Sequence, residues 1–199
     1  MSIIKRAGDL VYTFRFLRLL TTPFEETEAY KRGIIDADGT FNKDFNKSSM
    51  ENREAYKNYY TPFHRLVYNV KRLMAKAPGG GSRLASYAAA LYLIKENFGV
   101  PEDKILSGLK ELGIDPSDLI AEDNQWFVLE DQRLSPGNYK LSFEKLLNKT
   151  LDEMVKRDDT VKVDSNAYPV ANFYGINIYE ATHTRTKQKV YVTAQELRR

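Results

Sequence analysis

The 199-residue chain carries 30 bases, 27 acids and no cysteine. Its length fits one large domain or two small ones with a real core, and the missing cysteines exclude disulfides, thiolate chemistry and zinc–sulfur sites. No apolar run reaches the ~18 residues of a membrane span. The first residues, Met1-Ser-Ile-Ile-Lys-Arg-Ala-Gly, lack the apolar core of a signal peptide, so a protein without membrane contact is expected.

Asp9 is a candidate cap for a first helix through Leu20, with Leu10, Phe14, Leu17 and Leu20 on one face. Thr22-Pro-Phe-Glu25 reads as a capping box opening a second helix that runs to Arg32 and stops at Gly33. A hairpin is expected near 34–42, because Asp38-Gly39 favours a type I′ turn. Ser48-Ser-Met-Glu51 opens the longest periodic segment, about residues 50–77, which Pro62 kinks or splits. There Phe63, Leu66, Val67, Val70, Leu73 and Met74 share one arc at 3.6 residues per turn. Pro78-Gly-Gly-Gly81 breaks the helix; Ser82 caps the next, Arg83 to Phe98, closed by Gly99. Pro101 starts a shorter helix with Ile105, Leu106, Leu109 and Leu112 inward, ending at Gly113.

Residues 102–131, with nine acids against Lys104 and Lys110, read as a junction. After it the period changes to two. Phe127–Leu129, Tyr139–Leu141, Thr160–Val163, Val170–Tyr174, Ile176–Thr182 and Lys189–Thr193 read as strands, with a helix near 143–157 and a closing helical turn over Ala194–Arg199. The fold class is therefore α+β: a helical domain over 1–122 and a small SH3-like β-barrel domain over 125–199.

One stretch stands out chemically. Residues 1–95 hold 16 bases and 9 acids, and no acid lies between Glu54 and Glu96. Opposite the apolar arc fall Lys57, Arg65, Lys71, Arg72 and Lys76, with His64 and Tyr68 among them and Arg83 beyond. Clustered bases bind phosphates and exposed aromatics stack on bases. The same face also fits a solvated helix surface, or docking on an acidic protein surface such as the 102–131 segment of this chain.

Other patterns are weaker. Pro78–Arg83 lacks the Gly-Lys-Ser/Thr of a phosphate loop and reads as a connector. Asp36-Ala-Asp38-Gly39 fails as a calcium loop, since Phe41 and Lys47 hold the positions needing glycine and glutamate. His64 and His183, the only histidines, fall in different expected domains and form no ligand pair. No nucleophile motif occurs. The expectation is no enzyme, no cofactor and no metal.

The phrases Leu10–Phe24, Ala29–Asp36, Phe63–Leu73, Ser86–Glu96 and Tyr179–Thr193 resemble a poorly characterised family of tailed-bacteriophage structural proteins. The resemblance spans most of the chain but carries no catalytic signature and no site residues. It implies a non-enzymatic virion protein of the head, neck or connector region, made in the host cytoplasm and then built into the virion. Its partners would be other virion proteins or copies of itself, oligomerising through charged faces. The alternative is a nucleic-acid-binding accessory protein using the basic, tyrosine-bearing helix face.

Overall fold

The computed structural model describes residues 3–77, 83–115, 125–148 and 154–199, with the side chains of 3–10 and 83–86 outside the description. These residues form an α+β structure whose contacts divide into two units. The first comprises residues 1–72 and 94–114; the second comprises 73–93 and 115–199. Residues 73–93, read from sequence with the helical domain, group with the strands.

In the first unit, α1 (Ile3–Thr21) starts before Asp9 and runs through Gly8. The second helix is shorter than expected. A 3-10 turn over Phe24–Glu26 precedes α2 (Glu28–Lys31), and Thr27 rather than Thr22 caps it by accepting the Tyr30 N–H. Ile35 and Phe41 then bridge as a hairpin. Its turn is not type I′, since Gly39 takes the left-handed conformation and Asp38 does not. Ser49 caps α3 (Met50–Tyr59), and Pro62 splits the long segment by opening α4 (Pro62–Lys76). α5 (Arg83–Phe98) and α6 (Glu102–Glu111) follow. Ile105 and Leu109 of α6 are buried, but Leu112, expected inward, is 40% exposed because the helix has already ended.

The α4 stripe is buried along its length. Phe63, Leu66, Val67 and Val70 are buried in the first unit, Leu73 and Met74 in the second. At roughly 2 kcal/mol per fully buried large apolar side chain, such a stripe outweighs any surface interaction considered below. The tyrosines of the acid-free stretch are largely core. Tyr56, Tyr60 and Tyr68 join Phe24, Phe41 and Phe45 in one aromatic cluster, with ring centroids 5.3–6.5 Å apart.

In the second unit the strands are β1 (Gly137–Leu141), β2 (Lys145–Leu146), β3 (Met154–Val155), β4 (Thr160–Val163), β5 (Ala171–Phe173), β6 (Ile176–His183), β7 (Lys189–Val192) and β8 (Leu197–Arg198). Every described pairing is antiparallel. The order is β5-β6-β4-β1-β8, and the long β6 also carries β7. This is an open sheet where a closed SH3-like barrel was expected. Its terminal strands, of three and two residues, pair only inward, to β6 and β1. The helix expected near 143–157 is also corrected. Its described parts are β2 and β3, which pair Lys145 with Val155 and Leu146 with Met154. Phe127–Leu129 forms no strand and contributes only the Val128–Leu134 bridge. Residues 116–124 of the acidic junction and the Pro78–Ser82 connector lie outside the described residues.

Candidate anion-binding cleft

The basic face of α4 does not stand outward as a whole. Lys57 on α3 is exposed, whereas His64, Arg65, Lys71 and Arg72 are half-buried and Tyr68 is only 2% exposed. The reason is local packing: the Thr22–Glu28 segment covers this side of the helix. Lys71 donates to the Thr22 carbonyl and sits 4.3 Å from the Phe24 ring centroid. Burial lowers its pKa to about 8, with Glu25 opposing the shift. Arg72 donates to the Asn69 side chain at 3.3 Å. In the second unit Lys76 pairs with Glu144 at 2.8 Å, and the Arg83 side chain lies outside the described residues. Lys95 meets Glu102 of the acidic segment at 2.8 Å, so part of that segment is neutralised within the chain.

What the fold gathers instead is a cleft of about 430 Å³ in the first unit. Arg15 and Arg18 come from α1, Lys31 from α2, Tyr59 and Asn58 from α3, and His64 and Tyr68 from α4. Only His64 and Tyr68 belong to the face read from sequence. Arg15 and Arg18 are three residues apart on one helix and both exposed. Neither has an acidic partner within 4 Å among the described residues. Of the lining acids, Glu28 is shared by Lys31 at 3.4 Å and Arg32 at 3.7 Å, leaving Glu26. A like-charged pair at this spacing costs a helix ~0.2–0.5 kcal/mol. No ion pair among the described residues offsets it, although Glu26 also lines the cleft, so the arginine pair can attract an anion.

The cleft wall holds a neutral donor. His64 has its pKa lowered to about 4, first by burial and then by the Arg15 charge. The Thr61 hydroxyl accepts the His64 backbone N–H at 3.4 Å and lies 2.7 Å from Nδ1. Tyr68 is pushed up to about 12 by burial, so its hydroxyl, bonded to Thr27, stays protonated.

His64 also predicts an acid sensitivity. The unfolded chain protonates it near pH 6.5 and the folded chain near 4, so the unfolded state binds more protons between those values. The stability is complete above pH 6.5 and drains as pH falls to 4, by at most about 3 kcal/mol. Urea unfolding from pH 7 to 4 should show His64→Asn flattening this slope relative to the parent chain.

The other candidates are structural. Asp38 spends its carboxylate on the Thr40 N–H, at 2.9 Å, and on the Thr40 hydroxyl, which hold its pKa below the usual value. His183 is buried in the second unit, with Nδ1 2.8 Å from Thr186 Oγ1 and Nε2 3.3 Å from Asp159. It ties the β6–β7 turn to the start of β4. The residues that sequence reasoning missed are Arg15, Arg18, Lys31 and Tyr59. The Arg15-x-x-Arg18 spacing was visible, but α1 and α4 are joined only in three dimensions. No protein-family model matches the chain, and neither a curated protein nor a solved structure matches it.

Proposed function

We propose that the protein is a non-enzymatic component of a tailed-phage particle, made in the host cytoplasm, whose helical unit grips nucleic acid through the Arg15–Arg18 cleft. The observation that carries this reading is the arginine pair on one cleft wall without an acidic partner among the described residues. Self-association through the charged faces has less support, because Lys71, Lys76 and Lys95 already hold partners within their own units. The resemblance in Leu10–Phe24 and Phe63–Leu73 supports the phage setting, and both phrases supply cleft residues.

Duplex DNA binding, followed by fluorescence anisotropy across a salt series, should weaken log-linearly with salt. The double variant Arg15→Glu/Arg18→Glu should reduce that slope by roughly 2, about one phosphate contact for each arginine. Both side chains are exposed, so the fold should survive the change. Absence of binding to duplex and single-stranded DNA alike at low salt, or an unaltered slope in the variant, rules the proposal out.

A further inference from the structure

We infer that the cleft accepts one nucleotide of a single strand, its phosphate at Arg15 and Arg18 and its base against the Tyr59 ring. This rests on the nucleic-acid reading above and narrows it. The first argument is shape. Proteins read duplex DNA by inserting a protruding helix or strand into a groove. A concavity instead encloses a unit that has left its stack, a splayed base or a strand end. The cleft's volume, about 430 Å³, lies in the range of small-ligand pockets.

The second argument is chemistry. Arg15 and Arg18 are exposed guanidiniums suited to a phosphate oxygen pair. Tyr59 is half-buried against the Ala29, Ile34 and Tyr68 cluster, and the Arg32 guanidinium covers one side of its ring at 5.2 Å, so a base would stack on the side turned to the cleft. A held aromatic ring loses little freedom when a base stacks on it. Asn58, exposed beside Tyr59, offers both an amide donor and a carbonyl acceptor to a base edge, and neutral His64 adds an uncharged polar ring. Two exposed arginines on one wall face an aromatic ring and neutral polar groups, with the Lys31–Glu28 pair and Glu26 completing the lining, and this combination suits a phosphate joined to a base.

The test compares the full chain binding a short oligothymidylate and a duplex with the same number of phosphates, at one salt concentration. The single strand should bind more tightly. Tyr59→Leu should weaken it roughly 5- to 100-fold, the value of one stacked base, and weaken duplex binding far less. Tyr59→Phe should retain it, and Arg15→Glu/Arg18→Glu should weaken both ligands. Should Tyr59→Leu fail to fold, nitration of Tyr59 in the parent chain gives the same reading: oligothymidylate protects it and the duplex does not. Duplex binding as tight as single-strand binding, an equal effect of Tyr59→Leu on both, or no protection of Tyr59 overturns the single-nucleotide assignment while leaving nucleic-acid binding intact. Failure to bind either ligand removes both.

Discussion

Replacing Lys145 by methionine should destabilise the protein by about 3–5 kcal/mol, the usual cost of leaving one partner of a buried ion pair alone. The Lys145 side chain is 3% exposed and that of Glu196 is fully buried, with Nζ and Oε1 2.5 Å apart. The other carboxylate oxygen accepts the Thr193 N–H at 2.7 Å and the Thr193 hydroxyl at 3.0 Å, capping the last 3-10 turn. Burial raises the Glu196 pKa, while Lys145 and Thr193 oppose that rise. Without Lys145 the carboxyl is desolvated and unpaired, and the folded state favours its protonated form still more. The unfolded chain releases that proton first as pH rises. The stability loss should therefore be larger at pH 7 than at pH 5. Thermal unfolding would show a fall of roughly 10 °C for a chain of this size. The double variant Lys145→Met/Glu196→Gln should recover part of it. A Lys145→Met melting point within a degree or two of the parent would mean that the pair is not desolvated as described.

Gly39→Ala should be the second severe change, and it reaches the cleft. Gly39 is buried at the tip of the 36–40 turn with φ +80°, and a Cβ there would lie 2.4 Å from the Phe24 ring. An L-residue in this conformation costs about 1–2 kcal/mol, and forcing apart packed groups costs about 1–3 more. Phe24 packs edge-on against Tyr68 at 5.9 Å and under the Lys71 ammonium, so its displacement disturbs the wall that holds Tyr68 and His64. Loss of 2–5 kcal/mol in chemical unfolding is expected. Weaker anion binding should accompany it at temperatures where the variant remains folded. A variant as stable as the parent would show that the turn relaxes away from Phe24.

Sequence reasoning succeeded where the cause is local. Pro62 at the break in the long segment and Gly33 and Gly99 after helix ends act through their own backbone neighbours, while the cap of α3 lies one residue on, at Ser49 instead of Ser48. The apolar arc of α4 and the period-two runs of β4, β6 and β7 needed only side-chain spacing. It failed where the cause is distant. Residues near 145 carry a helical pattern, yet Lys145 lies in a ladder with Val155 and finds Glu196 across 51 positions. Tyr68 was placed on a polar arc, but that arc is covered by the Thr22–Glu28 segment, whose Thr27 is its hydrogen-bond partner.

By itself, then, the sequence determined an α+β chain with helices first and strands after, rich in bases along its first half, because caps, periodicity and composition are properties of neighbouring residues. Only the tertiary structure decided which charges remain available. Packing spends Lys71 on a carbonyl and buries Tyr68, while it sets Arg15 and Arg18 of α1 beside His64 of α4, nearly fifty positions away, in one cleft. A charge's worth depends on its solvation and its partners, and both are fixed by what folds over it.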